Sequence, residues 1–202
     1  MKLEKELKLN PENTLLLVID VQRDFLETMQ GFVFQDAGDK PGNMQEIVRD
    51  NLVPLIERSL KAETHVAYVK SEYPRGRFPP PYDRLCSKSP GQDLYLIDKV
   101  NGSVKVFVKN EPNPFSNVGL GAYIEDKDIM SLVVSGVTLT SCVDTAIKSA
   151  ICIPNLEIIV PEDCIGYRKK REEDARKILD GYRSMDKKRI KVVNSSQILY
   201  ST

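Results

Sequence analysis

Residues 132–146 read LVVSGVTLTSCVDTA. The apolar run Leu132–Val134 is typical of a strand that is buried on both faces of a parallel sheet. Gly136 ends the run, Ser141 is a candidate N-cap, and the helical spacing of apolar residues begins after Cys142. The pattern therefore predicts a cysteine at the junction between a central strand and a helix.

A cysteine at such a junction faces the backbone N–H groups and the positive dipole end of the helix that follows. We expect both features to lower the pKa of the Cys142 thiol and to stabilise an anion beside it. A buried cysteine at the start of a helix is nevertheless more often a packing residue than a reactive one. Assigning it as a nucleophile therefore requires partner residues from other parts of the chain.

The composition limits the classes of protein to consider. The chain has 202 residues, 41% of them hydrophobic, which is enough for one sizeable core, and we expect a single domain over residues 1–202. The 29 basic and 29 acidic residues leave no basic face for nucleic acid. The charged N-terminus lacks the apolar segment of a signal peptide, and no run approaches the roughly 20 apolar residues that span a bilayer. With four cysteines and no C-x-x-C spacing, a reduced, cytoplasmic location is expected.

Strand and helix patterns alternate along the whole chain. Strands are predicted at residues 14–20, 65–70, 103–109, 132–134, 156–160 and 190–193, and the longer helices at about 44–62 and 168–185. This alternation predicts one doubly wound, Rossmann-like α/β domain, a three-layer sandwich with a six-stranded, mostly parallel sheet. Neither G-x-G-x-x-G nor a P-loop occurs, so we expect no nucleotide cofactor and no other cofactor.

Three chemically active side chains fall at or just past the ends of predicted strands. These are Asp20, Lys109 and Cys142. Because parallel strands bring their carboxyl ends to one edge of the sheet, we expect the three side chains to meet there. The lysine would stabilise a thiolate, the aspartate would move a proton to and from the sulfur, and backbone N–H groups at the turn would hold an oxyanion. Taken alone, Asp20 could as well be a cap or loop carboxylate, and for Lys109 and Cys142 a solvated charge and a packing thiol are the commoner roles.

The long segment Ser71–Asp98 has no periodicity and is predicted to be a lid or an oligomer-forming arm. Its arginines 75, 77 and 84 can meet a substrate carboxylate, or else pair with local acids. Phe25 and Tyr73 are candidate substrate-pocket residues. His65 opens a strand, far from the expected site, and is predicted to be structural.

The chain resembles the isochorismatase-like cysteine hydrolases, a superfamily that includes nicotinamidases and N-carbamoylsarcosine amidase. The resemblance is carried by LLLVIDVQRDF at 15–25, VFVKNEPNPF at 106–115 and VVSGVTLTSCVDTA at 133–146. It implies Asp20 as acid/base, Lys109 as charge partner and Cys142 as nucleophile. It also implies a cis peptide bond between Val137 and Thr138, which would direct the Thr138 N–H, with that of Cys142, at the oxyanion.

Two departures from the family pattern bear on function. The family usually has threonine where this chain has Leu139, at the turn before Cys142. Nicotinamidases carry an Asp-x-His and a further histidine after the second strand, whereas this chain reads KSEYPRGRFPPPYDR at 70–84. We therefore expect no metal site of that kind.

The leading hypothesis is metal-independent hydrolysis of a small molecule, at an amide or related C–N bond, through a Cys142 thioester. A second hypothesis is hydrolysis of a vinyl ether, as in isochorismatase, which does not require the cysteine as nucleophile. A third is a non-catalytic binding protein that retains the fold, and a fourth is a thiol redox sensor. The partners expected are a small-molecule substrate and further copies of the chain in a dimer or tetramer, with no nucleic acid and no membrane.

Overall fold

The computed structural model describes residues 6–100, 102–186 and 188–201, and its centre is a parallel sheet of seven strands. The strands are β1 (Leu7–Leu9), β2 (Thr14–Ile19), β3 (His65–Ser71), β4 (Lys105–Lys109), β5 (Ser131–Val137), β6 (Glu157–Pro161), β7 (Ile165–Gly166), β8 (Ile190–Val193) and β9 (Ile198–Tyr200). Across the sheet the order is β4-β3-β2-β5-β6-β8, and β7 pairs with β5. Every pair of neighbours is parallel. The predicted α/β fold with a parallel sheet is therefore confirmed.

The predicted number of strands is wrong by one. All six predicted strands are present, and the additional one is β7, which has only two residues. It forms because β6 ends at Pro161 and a 3-10 turn, Glu162–Cys164, returns the chain to the edge of β5, where Ile165 pairs with Gly136. Two residues are too few to produce a periodic hydropathy signal.

The helices are α1 (Arg23–Leu26), α2 (Val33–Asp36), α3 (Met44–Ile47), α4 (Val53–Lys61), α5 (Val118–Asp126), α6 (Asp144–Ile151) and α7 (Glu172–Arg183). A π turn, Val48–Leu52, joins α3 to α4 directly before Pro54. Proline has no N–H to donate to the preceding turn, so the helix widens there rather than ending. The predicted helix over 44–62 is thus present, with the predicted irregularity at the proline.

Apolar side chains of the central strands alternate between two cores. In β2, Leu15, Leu17 and Ile19 pack on one face of the sheet, in the core that includes α5, α6 and α7 residues. Leu16 and Val18 pack on the opposite face, in the core that includes α3 and α4 residues. Because both faces are covered, the central strands are apolar without alternation, as the sequence indicates.

The two ends of the chain pair with each other. β1 and β9 form a separate two-stranded parallel sheet, with Leu7 opposite Ile198 and Leu9 opposite Tyr200. The sequence analysis predicts no strand before residue 14, so β1 is an additional element, and residues 1–5 lie outside the described chain. The strand β9 was likewise not predicted, and it follows directly on a 3-10 turn at Ser195–Gln197. Among the described helices, none has the length and apolar character needed to cross a membrane.

Candidate active site

The strand order brings the three predicted reactive side chains to one edge of the sheet. Asp20 follows β2, Lys109 is the last residue of β4, and Cys142 lies in a π turn (Leu139–Val143) that follows β5. Because β3 separates β4 from β2, its last residue, Ser71, lies between Lys109 and Asp20. Asp20 has a left-handed backbone with φ of 52°, an uncommon conformation that aspartate tolerates and that often marks functional positions.

The three side chains are in direct contact. Lys109 Nζ lies 2.9 Å from Asp20 Oδ2, and both side chains are fully buried. The same ammonium donates to Cys142 Sγ at 3.4 Å, and Cys142 is only 5% exposed. Within the described chain no hydrogen bond reaches Asp20 Oδ2, so its contact with Nζ is an ion pair. That oxygen is therefore available to accept a proton.

A hydroxyl that the sequence analysis did not identify bridges the ion pair. Lys109 Nζ donates to Ser71 Oγ at 2.8 Å, and Ser71 Oγ donates to Asp20 Oδ1 at 2.9 Å. Tyr73 OH, from a predicted pocket residue, lies 3.1 Å from Ser71 Oγ and 3.4 Å from Lys109 Nζ. The predicted strand 65–70 stops one residue before Ser71, so the position of this residue at the strand end was the missed signal.

Gln22 fixes the backbone of that serine. It is fully buried, and its Nε2 donates to Ser71 O at 2.9 Å while its Oε1 accepts from Ser71 N–H at 2.8 Å. The same Nε2 lies 2.9 Å from Gln92 O, so the amide also ties the 90–92 turn to the edge of the sheet. A glutamine two residues after a strand-end aspartate carries no sequence signal that distinguishes it from a loop residue.

Asp24 performs a similar task for the loops around the site. Its Oδ1 accepts from Val33 N–H at 3.1 Å and its Oδ2 from Cys86 N–H at 2.7 Å. A Cβ at Gly91 would lie 2.1 Å from the carboxyl carbon of Asp24, so only glycine allows the 90–92 turn to pack there. The buried carboxylate thus holds three segments that the sequence treats as independent loop.

Burial controls the ionisation of Cys142. Desolvation, followed by the charge of Asp20, raises the pKa of the thiol to about 12, and the opposing charge of Lys109 only partly offsets this. The expectation of a lowered pKa is therefore wrong, because the thiol's removal from water outweighs the backbone N–H groups and the helix dipole. Burial lowers the pKa of Lys109, but the charges of Asp20 and Cys142 outweigh it and leave that pKa raised. The resting pair is a neutral thiol beside an ammonium.

The turn before Cys142 is tightly packed. The peptide bond between Val137 and Thr138 is cis, and Thr138 O accepts from the N–H groups of Ser141 at 3.1 Å and Val143 at 3.3 Å. The prediction of Ser141 as N-cap is wrong, since its side chain makes no cap bond and lies inside the π turn. Its hydroxyl instead lies 3.8 Å from Cys142 Sγ.

Close approach of two strands explains the glycine in this motif. Gly136 has φ of +108°, and a Cβ there would lie 2.2 Å from Ile19 O. Only glycine lets β5 approach the end of β2 so closely. Ile19 immediately precedes Asp20, so this contact also sets the spacing between Asp20 and the Cys142 turn.

The remaining predicted residues lie as follows. Phe25 is buried and packs on Phe34, at 5.4 Å between ring centroids. Arg77 pairs with Glu111 at 2.7 Å and Arg84 pairs with Asp36, so both meet local acids, while Arg75 is exposed. His65 lies at the start of β3, with its ring nitrogens 3.1 Å from Glu12 O and 3.2 Å from Tyr123 OH, and therefore at the opposite edge of the sheet. In the described part of the chain, no cluster of three or more His, Cys, Asp or Glu side chains suits a metal ion.

With this geometry in place, a family model decides the relationship. The isochorismatase domain matches residues 14–179, which is most of the chain and includes Asp20, Lys109 and Cys142. The chain belongs to the isochorismatase family. No curated protein matches this isochorismatase-family chain.

Solved structures share its fold at low sequence identity. A cysteine hydrolase from Pseudomonas syringae pv. phaseolicola 1448A is 16% identical, with a TM-score of 0.78 over 98% of this chain and 96% of that one. Nicotinamidase PncA from Bacillus subtilis is 16% identical, with a TM-score of 0.70 over 90% and 99%. An isochorismatase-like hydrolase from Alkaliphilus metalliredigens is 18% identical, with a TM-score of 0.73 over 92% and 95%. These likenesses extend over nearly the whole isochorismatase-family fold.

Proposed function

We propose that this protein hydrolyses an amide or related C–N bond of a small molecule through a thioester on Cys142. The observation that carries the proposal is the buried contact of an ammonium with both a carboxylate and a thiol, at 2.9 and 3.4 Å. Burying such charges costs several kcal/mol per ion, so a purely structural role would be better served by apolar residues. Membership of the isochorismatase family supports the same interpretation.

In the first half-reaction, Cys142 Sγ attacks the carbonyl carbon while its proton passes to Asp20. Burial raises the pKa of Cys142 to about 12, so the resting thiol is protonated and its proton has to be removed as the sulfur attacks. As the proton leaves, the ammonium of Lys109 stabilises the charge that develops on sulfur, and as the S–C bond forms the carbonyl π pair moves onto oxygen to give the oxyanion. Asp20 then gives the proton to the leaving nitrogen, the C–N bond breaks, and an amine and an acyl thioester remain.

In the second half-reaction, water replaces the amine. The water oxygen attacks the thioester carbon while Asp20 takes a proton from the water. The C–S bond then breaks, and Asp20 returns the proton to the sulfur. The products are a carboxylic acid and the starting thiol. We propose the backbone N–H groups of Thr138 and Cys142 as the donors to the oxyanion in both steps, an interaction typically worth about 3 kcal/mol for each donor.

The mechanism assigns the positive charge in the site to Lys109 and therefore needs no metal ion. The chain also lacks the histidines at 70–84 that the metal-binding relatives carry. We further propose that the active form is a dimer or tetramer acting in the cytoplasm, as the sequence analysis expects.

The test is a screen of small amides, carbamoyl compounds and isochorismate against the wild type and Cys142→Ala. We expect the wild type to hydrolyse an amide or carbamoyl compound and to show an acyl adduct on Cys142 by mass spectrometry, and Cys142→Ala to show neither. Full turnover of an amide or carbamoyl compound by Cys142→Ala would refute the covalent mechanism, and turnover of isochorismate by both proteins would favour vinyl ether hydrolysis. No turnover of any compound by a folded wild type would favour a non-catalytic binding protein.

A further inference from the structure

Arg168 is a buried cation whose hydrogen-bonding capacity is mostly unused. The side chain belongs to a residue that is 4% exposed, and its Nη1 donates to Asp39 O at 3.3 Å. Among the described residues, neither Nε nor Nη2 has a hydrogen-bond partner. Buried polar groups of this kind are normally satisfied, and leaving a charged one without partners costs free energy.

The two unused nitrogens form one edge of the guanidinium. Nε–H and one N–H of Nη2 point in the same direction, as a fork that matches the two oxygens of a carboxylate. The third nitrogen, Nη1, is the one already bonded to Asp39 O. The edge left open is therefore an intact bidentate site rather than two unrelated donors.

An aromatic cluster packs against one face of the Arg168 guanidinium. The guanidinium carbon of Arg168 lies 3.6 Å from the centroid of the Phe34 ring. Phe34 packs on Phe25 at 5.4 Å and on Tyr82 at 5.1 Å between ring centroids. Phe34 and Tyr82 are both half-buried, so the aromatic cluster extends from Arg168 to the protein surface. Flat apolar walls would exclude water from an ion pair formed at the fork and favour a planar ligand.

Arg168 lies at the same edge of the sheet as Cys142. In the pairing of β7 with β5, Gly166 is opposite Val137, so Arg168 leaves the sheet two residues beyond the level of Val137. The turn that carries Cys142 begins at Leu139, two residues beyond Val137, where the chain leaves β5. The backbone of Arg168 and the start of the turn that carries Cys142 are therefore at comparable heights on adjacent segments.

The charges near the fork leave it free. The carboxylate of Asp39 is paired with Lys170 at 2.9 Å. Burial lowers the pKa of Arg168 to about 10, with Asp39 acting in the opposite direction, and the guanidinium remains protonated at neutral pH. A buried charge without a counter-ion supplies the electrostatic drive for an anionic ligand.

We propose that the open Nε–Nη2 edge of Arg168, walled by Phe34 and Tyr82, binds the carboxylate of the substrate. The substrate class is then a small carboxylic acid with a planar or apolar segment between its carboxylate and the bond that is cleaved. That the ligand is a substrate rests on the proposed hydrolase function, whereas carboxylate binding at Arg168 is tested without turnover.

The experiment uses the Cys142→Ser protein and two probes of the same shape, benzoate and benzamide. Arginine Nε–H resonances are followed by NMR during titration, and the Arg168 signal is assigned from its loss in Arg168→Lys. Benzoate is added up to about 10 mM, which would saturate a site with a Kd of about 1 mM. We expect benzoate to shift the Arg168 Nε–H signal and benzamide to leave it unchanged. No shift with benzoate, or an equal shift with benzamide or inorganic phosphate, would overturn the assignment to a carboxylate.

Affinity measurements on variants give a second criterion. Arg168→Gln removes the charge and the fork and should weaken benzoate binding roughly ten- to hundred-fold, the usual range for a hydrogen-bonded charge. Arg168→Lys should bind more weakly than arginine and more tightly than glutamine. The control is Arg75→Gln, an exposed arginine in the first half of the chain, which should bind benzoate as before. Unchanged binding in folded Arg168→Gln would overturn the proposal even if Cys142 hydrolysis is established.

Discussion

The ion pair between Lys109 and Asp20 makes the sharpest prediction about stability. Both side chains are 0% exposed and 2.9 Å apart. Lys109→Met leaves the carboxylate of Asp20 buried without its cation, and Asp20→Asn leaves the ammonium without its anion. Breaking a buried pair in this way costs about 3–5 kcal/mol, whereas removing both charges together is often close to neutral. We therefore expect each single variant to lose that amount and the double variant to lose less than either.

The assay is urea unfolding of the wild type, the two single variants and the double variant, with the free energy of unfolding taken from midpoint and slope. The expected coupling energy is at least about 3 kcal/mol. A matched control is the Lys148–Asp144 pair at 2.7 Å, whose lysine is 67% exposed and for which about 0.3–0.5 kcal/mol is expected. Effects of the buried pair that add within about 0.5 kcal/mol would refute the reasoning.

Other consequences of the site are open to simpler measurements. Burial raises the pKa of Cys142 to about 12. Iodoacetamide should therefore modify the exposed Cys152 first, and the rate of Cys142 alkylation should still be rising at pH 10. A fast, pH-independent reaction of Cys142 near pH 6 would contradict this. Ser71→Ala removes the hydroxyl between Lys109 and Asp20, so kcat on any substrate found should fall roughly ten- to hundred-fold with KM little changed; an unchanged kcat would show that the bridge is dispensable. Asp24→Ala leaves two buried backbone N–H groups without acceptors and should lower the free energy of unfolding by about 2–5 kcal/mol, while Asp24→Asn should cost less; equal losses for the two variants would argue against the acceptor role.

The sequence could predict much of the fold because the signals involved are local and strong. The runs at 14–19 and 132–134 are apolar without alternation, which in a parallel sheet means burial on both faces. Once those strands are parallel, residues at their carboxyl ends share one edge, and this places Asp20, Lys109 and Cys142 together. The strand β7 was missed for the opposite reason, because a strand of two residues is too short to show a periodic hydropathy pattern.

The missed part of the site depends on strand order and on solvent exclusion. Ser71 becomes important only because β3 lies between β4 and β2, and strand order is not encoded in hydropathy. Gln22 acts through both the nitrogen and the oxygen of its side-chain amide on a backbone segment that is 49 residues away in sequence. The ionisation of Cys142 was predicted in the wrong direction because helix-end N–H groups can be counted from sequence, whereas the depth of burial requires coordinates.

The pairing of β1 with β9 has a practical consequence for engineering this chain. Leu7 and Ile198 are neighbours across a strand pair, a separation of about 5 Å. Because β1 and β9 run parallel, the end of β9 at Tyr200 lies beside Leu9, so a glycine-rich peptide that joins Tyr200 to Leu7 must run back along the strand pair, and new ends can then be opened in a surface connection elsewhere. A circular permutant opened at the exposed Pro74–Gly76 turn would free the segment beside Tyr73 while leaving all seven central strands contiguous.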